Sequence, residues 1–380
     1  MKNLRVWAAL AALCLMLAGC APALSGEQSG NLEEPGSPAA ESQPGEEPET
    51  PVLPELPEGP VTTADADELR DLLELAIRWT EQPPAFEAAF LDSEADPDMT
   101  VRNLYYALLS EAPECKYAYD MTLGRTAEGL YQCTFAYMPY RTGDYPADFS
   151  GEAAGSFGEL IALAKENLGQ AEIPVRITDP SLTVDDLNRA LQQVGGGYLL
   201  CQLNRDGTAV TVTPLNQLTH QQALDRLAEI DELARQFAEA CVTEEMTQAE
   251  KAEALYTRLT DRVAYDFRYY SDPASMPYAS TTAYGALKDD LAICGGYAQA
   301  VQVLFEQQGI PCLTVSGQWD GENHMWNLVW LDGEWRYCDA TSDRGKSEFG
   351  FGCYRVPAEE LWGHTWDQEW TARLTASLEV

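Results

Sequence analysis

Three residues in the last third of the chain have the types and settings that activate a thiol. Cys294 follows Asp290-Leu291-Ala292-Ile293 and opens the run Cys294-Gly295-Gly296-Tyr297-Ala298. Tyr297, Val301, Leu304 and Phe305 then recur at helical spacing until Gly309-Ile310-Pro311 stops the helix. Cys294 is therefore expected at a helix N-terminus. There the macrodipole and free backbone N–H groups favour the thiolate, which is the nucleophile, and can hold a developing oxyanion. Downstream, Asn323-His324-Met325-Trp326-Asn327-Leu328-Val329-Trp330 alternates like a strand, and Asp332-Gly333 turns it. Glu334 to Thr341 reads as the returning strand, which puts His324 and Asp339 on neighbouring strands. In such a set His324 takes the thiol proton, and Asp339 fixes its tautomer and supports the imidazolium.

These side chains need elements to carry them. A helix is expected over Glu68 to Trp79, with Leu69, Leu72, Leu73 and Ala76 on one face. A weak repeat follows: Pro97 to Leu108 lines up with Pro180 to Leu191, sharing Pro, Thr, Val, Leu, Ala and Leu without a gap. Each copy reads as a capped helix followed by a hairpin, Lys116–Met121 with Gly129–Tyr137 and Tyr198–Leu203 with Ala209–Thr213. This gives two helix-plus-hairpin units over roughly 97 to 215. Leu227, Ile230, Ala234, Phe237 and Cys241 mark a further helix, with His220 as a helix-start residue. Thr247 and Glu250 form a capping box ahead of another.

The blocks Ala283-Tyr284-Gly285-Ala286-Leu287, Cys294-Gly295-Gly296-Tyr297-Ala298, Gly309-Ile310-Pro311, His324-Met325-Trp326-Asn327 and Asp339-Ala340-Thr341 together resemble the bacterial transglutaminase-like superfamily. Tyr265-Asp266 and the trailing Ala358 to Asp367 also look like that group. The resemblance covers about 250 to 370. It implies an α+β, papain-like core in which the Cys helix packs on an antiparallel sheet, with Cys294 as nucleophile, His324 as general base and acid, and Asp339 as orienting carboxylate. His364 matches a family position without an assigned role. Animal transglutaminases stabilise the transition state with a Trp upstream of the Cys, yet no Trp lies between Trp79 and Trp319. Tyr265 is the candidate substitute donor for the oxyanion, and hydrolysis stays open beside cross-linking.

The N-terminus reads as a targeting segment. Lys2 and Arg5 precede an apolar run from Val6 to Leu17, and Leu17-Ala18-Gly19-Cys20 resembles a bacterial lipobox. The resemblance implies cleavage of 1–19, lipidation of Cys20, and a membrane-anchored chain on the extracytoplasmic face. Residues 21–60 hold nine Pro and nine Glu with no Lys, Arg or aromatic residue, so 20–60 is expected to be a disordered tether. At full extension its contour is about 120 Å. The remaining chain divides into an N-terminal α+β region, 61–217, and a catalytic region, 218–380.

The net charge is −37 for the whole chain and −30 beyond residue 60, which argues against nucleic acid and anionic lipid as partners. Eight of the ten cysteines lie beyond Cys20, and none shows zinc-ligand spacing with another Cys or His. An exported chain could pair some of them, with Cys312, Cys338 and Cys353 as candidates, or simply bury them. No cofactor motif is present, and no metal is expected. The expected activity is cysteine acyl transfer on protein or cell-wall peptide amides, by hydrolysis or transamidation. The alternative is a non-catalytic surface module that reuses the fold, with the repeats carrying the interaction.

Overall fold

The structure, a computed structural model, describes residues 53–378. The expected signal segment, Cys20 and most of the Pro/Glu-rich stretch lie outside the described residues. From Val61 the chain builds a set of six elements, then builds the same set again. The first set is β1 (Val61–Thr62), α1 (Ala66–Trp79), β2 (Phe86–Glu87), α2 (Pro97–Glu111), β3 (Ala118–Arg125) and β4 (Tyr131–Tyr137). A short helix, α3 (Pro139–Thr142), leads to the second set. That set is β5 (Glu152–Ala154), α4 (Phe157–Glu166), β6 (Glu172–Ile177), α5 (Val184–Leu191), β7 (Leu199–Leu203) and β8 (Ala209–Pro214).

The two sheets have the same wiring, β1-β2-β4-β3 and β5-β6-β8-β7. In each the first two strands are parallel and the others antiparallel. The duplication therefore starts earlier than the repeat seen in the sequence. Its leading strands are two or three residues long, too short to show alternation. Asp65 and Ser156 cap the first helix of each set by accepting from backbone N–H groups. The second helices begin differently. Thr183 caps α5, as expected, by accepting from Asp186 N, whereas Asp96 caps α2 and the aligned Thr100 lies inside the helix.

A turn at Asn216 and Gln217, both with positive φ, leads into α6 (His220–Glu239). Capping boxes start both α6 (Thr219 with Gln222) and α7 (Gln248–Arg262; Thr247 with Glu250). Then come β9 (Ala264–Tyr265), α8 (Arg268–Ser271), α9 (Ala283–Lys288), β10 (Leu291–Ala292) and α10 (Cys294–Glu306). The chain continues with β11 (Cys312–Trp319), β12 (Glu322–Leu331), β13 (Glu334–Cys338), β14 (Tyr354–Val356), β15 (His364–Thr365) and α11 (Gln368–Ala376). The last five strands form an antiparallel sheet, β14-β13-β12-β11-β15, and α10 packs on β11 and β12. This is the α+β arrangement of a Cys helix on an antiparallel sheet.

Everything from Glu55 onward belongs to one compact unit. The second module is tied to the elements that follow it by specific contacts. Tyr278 Oη donates to Gly197 O at 2.5 Å, and Tyr198 and Thr282 share a hydroxyl contact at 3.1 Å. The Gln193 amide donates to Thr314 O and accepts from Thr314 N, both at 2.9 Å. At the other end α11 meets α4 and α5: Trp370 lies edge-on to Phe157, and Arg373 pairs with Asp186. All eight described cysteines, Cys312, Cys338 and Cys353 among them, are unpaired. No described helix is long and apolar enough to cross a membrane.

Candidate active site

Cys294 is the first residue of α10, and no side chain caps that helix. The loop before it is fixed from two sides. Asp266 N donates to Ala292 O at 3.0 Å, and Ile293 N donates to Ser280 O at 2.8 Å. The buried Asp266 carboxylate joins both supports, accepting from Ser280 Oγ at 2.7 Å and from the Arg268 guanidinium at 2.8 and 2.9 Å. The Arg268 hydrogen bonds hold this carboxyl below the usual carboxylate range. Gly296 is required by close approach. A Cβ there would lie 2.8 Å from both Ala292 Cβ and Ser280 O, and 2.9 Å from Thr282 O. The Cys-Gly-Gly run thus lets the helix start against the 278–282 turn, with its first N–H groups beside the Cys294 thiol.

On β12, His324 stands opposite Gly317 of β11. Its Nε2 is 2.9 Å from Asp339 Oδ2, which leaves Nδ1 as the nitrogen available to the thiol. Asp339 follows β13 directly and is fully buried. Its Oδ1 accepts from Thr341 N and Ser342 N at 3.0 and 3.2 Å, and its Oδ2 accepts from Ser342 Oγ at 2.5 Å. Burial alone would raise the Asp339 pKa, but the hydrogen bonds from His324, His364 and Ser342 outweigh it and hold the carboxyl well below its ordinary range. Burial likewise works against charge on His324. Its bonds to Asp339 and to the Cys294 sulfur prevail, and its pKa is pushed up to about 10. The other seven described cysteines are all pushed upward by burial, as befits packing residues.

Cys294, His324 and Asp339 are thus brought together. Tyr265 joins them from β9, where it pairs with Ala292 two residues before the nucleophile. Burial first, then the neighbouring Cys294 and Tyr270, push its phenol up, so it stays protonated and able to donate. Two further contributors were not singled out from sequence. Asn327, fully buried on β12, donates to Ala298 O at 2.9 Å and so ties the His strand to the Cys helix. Ser342 completes the shell of Asp339. Of the tryptophans, Trp326 is buried beneath His324 with ring centroids 5.8 Å apart, while Trp319 is 40% exposed at 6.1 Å from the same ring.

His364 is also brought in, with Nε2 3.1 Å from Asp339 Oδ2. His324, Asp339 and His364 form the one group among the described residues whose donor atoms converge as metal ligands would, within 4.8 Å. The N···O separations of 2.9 and 3.1 Å are hydrogen-bond lengths. Two open surface hollows, about 660 and 760 Å³, lie along α6 and α7 and are lined by none of these residues.

An uncapped helix-start cysteine thus faces a strand histidine braced by a buried aspartate. Residues 235–340 match the profile of the transglutaminase-like superfamily, and this part of the chain belongs to that superfamily. Among solved structures, the chain resembles one described as a TGase, with 18% identity and a TM-score of 0.30 over 43% of this chain and 52% of that one. It also resembles a candidate cysteine protease from Cytophaga hutchinsonii, with 17% identity and a TM-score of 0.27 over 42% and 54% of the two chains. A third is the periplasmic domain of TgpA from Pseudomonas aeruginosa, with 16% identity and a TM-score of 0.23 over 39% and 64%. The chain spans about half the length of the first two. No curated protein matches it.

Proposed function

We propose that the protein is an extracytoplasmic cysteine acyl-transfer enzyme that acts on amide or peptide bonds. The observation that carries this reading is the 2.9 Å link from His324 to a fully buried Asp339, with the free face of His324 turned to Cys294 at an uncapped helix start. The Cys294 thiolate attacks the carbonyl carbon and a C–S bond forms. The oxyanion faces the first N–H groups of α10 and the Tyr265 hydroxyl. Collapse breaks the C–N bond, and the amine leaves with the proton from His324. Water or a primary amine then attacks the thioester, gives its proton to His324 and expels the thiolate. Which acceptor enters decides between hydrolysis and transamidation.

Exposed aromatics flank the nucleophile and suit an extended, partly apolar peptide. Phe267 and Tyr270 pack around Tyr265, and Trp319 stands beside His324. Tyr270 Oη reaches across to Glu322 Oε2 at 3.2 Å, which joins the two rims. Surface proteins or cell-wall peptides within reach of a lipid anchor at Cys20 are the proposed substrates. The test is iodoacetamide labelling of each cysteine, read by mass spectrometry, followed by release of p-nitrophenolate from p-nitrophenyl acetate. Cys294 should label fastest at about pH 6, where an ordinary thiol is protonated, and His324→Ala should remove that advantage. An inert Cys294 would sink the enzyme reading and favour the non-catalytic module. The anchor is tested separately, by a lipidated N-terminal mass that disappears in Cys20→Ala.

A further inference from the structure

His364 lies 25 residues beyond Asp339 in sequence, on β15 at the far edge of the sheet, yet it meets the same carboxylate oxygen as His324. Its two ring nitrogens face two acceptors. Nε2 is 3.1 Å from Asp339 Oδ2, and Nδ1 is 3.0 Å from the Trp362 carbonyl oxygen. A neutral imidazole carries one N–H and can satisfy one acceptor, whereas the doubly protonated ring donates to both. The side chain is 1% exposed. It stands edge-on to Trp326 at 4.9 Å, with Trp319 at 6.5 Å. The titratable groups around it are Asp339, from the end of β13, and His324, from β12, whose ring centroid is 5.5 Å away. β15 can come this close because β11 offers Gly317 at the contact, where a Cβ would collide with the Thr365 carbonyl oxygen of β15.

We propose that His364 is a positioning residue that, through contacts at both ring nitrogens, fixes the Asp339 carboxylate and through it the ring of His324. With its bond, Oδ2 takes donors from His324, His364 and Ser342, while Oδ1 takes two backbone N–H groups, so the carboxylate has no freedom to rotate. The working unit is then a tetrad, in which one carboxylate is shared by a reacting histidine and a structural one.

This inference rests on the proposed triad, and one experiment separates their failures. Iodoacetamide labelling of Cys294 in the full chain is followed at about pH 6 and about pH 9, the second being where the thiol ionises unaided. His364→Phe keeps the volume and removes both donors. It should slow labelling at the lower pH by about tenfold to a hundredfold, as loss of a supporting hydrogen-bond partner does at other sites, and leave the higher pH nearly unchanged. His364→Gln keeps a donor toward Asp339 on a less rigid side chain and should fall between Phe and wild type. Wild-type labelling in His364→Phe at the lower pH would overturn the proposal, as would an equal loss at both pH values. One equivalent of a divalent metal in the purified chain, lost in His364→Phe, would also overturn it, because a metal would then occupy the place of the two protons. Fast labelling in His324→Ala would instead overturn the triad itself. Should His364→Phe fail to fold, His364→Gln against His364→Met makes the same comparison.

Discussion

The Asp339 carboxylate accepts from two backbone N–H groups, one hydroxyl and two imidazoles, and this set explains why it stays ionised while fully buried. Its depressed pKa means that it contributes stability above the unfolded value of about 3.9, a contribution lost as pH falls toward the folded value. His324 works in the opposite sense. Its pKa, pushed up to about 10, keeps the imidazolium through neutral pH, and the charge is lost as pH rises through that value. The leaving amine needs that proton. Turnover of an amide substrate should therefore fall above about pH 10, while alkylation of Cys294, which needs only the thiolate, should not. Parallel pH profiles for the two reactions would contradict the assignment of His324 as acid. Asp339→Asn should lower kcat by about a thousandfold to ten-thousandfold, as at other triads where the orienting carboxylate is removed. A change of less than tenfold in steady-state kinetics would count against its role. Cys294, His324 and Asp339 could be picked out of the sequence because each sits at a local signal: a helix start, a strand, and the end of a hairpin. The contact of His364 could not. It depends on β15 closing against β11 after the irregular 339–353 segment, and no local pattern encodes that pairing.

At the scale of elements, the position of the nucleophile depends on how closely α10 approaches the 278–282 turn. Gly296→Ala forces a Cβ to within 2.8 Å of Ser280 O and Ala292 Cβ, neither of which is the end of a flexible chain. Overpacking of this kind costs about 1–3 kcal/mol, and here the shift falls on the helix start that carries Cys294. Thr247→Ala makes a useful control. It removes one cap from α7, should cost about 1 kcal/mol, and leaves the site geometry alone. Thermal melts should therefore show both variants destabilised, while p-nitrophenyl acetate turnover should collapse only in Gly296→Ala. Equal activity in the two would mean that the glycine serves stability alone. The capping boxes and the Cys helix were legible because caps, periodicity and the Gly309-Ile310-Pro311 stop agree with one another. The leading strands of the two modules were not, since β1, β2 and β5 are too short to alternate and their pairing is parallel and non-local.

For the whole molecule, the question is whether the duplicated modules are appendages or part of the proposed active site. The second module holds the same 278–282 turn that supports Cys294. Tyr278 binds Gly197 O, and Thr282 meets Tyr198. It also brackets β11 through Gln193 and seats α11, where Trp370 and Leu374 are buried and Phe157, Asp186 and Arg189 are the partners. A chain reduced to residues 218–380 would lose all of these at once. Uncovering the apolar face of α11 costs about 1.5–3 kcal/mol for each large side chain exposed, a sizeable share of the 5–15 kcal/mol that stabilises a domain. The turn beneath Cys294 would lose two of its supports in the same step. The fragment is therefore expected to melt at lower temperature and less cooperatively than the full chain. Its Cys294 should label at about pH 6 no faster than an ordinary thiol, because the helix start would no longer be held against the histidine strand. If the fragment instead keeps the melting temperature and labelling rate of the full chain, the modules do not build the site. The sequence boundary at 217 would then mark an independent domain, free to serve a partner of its own.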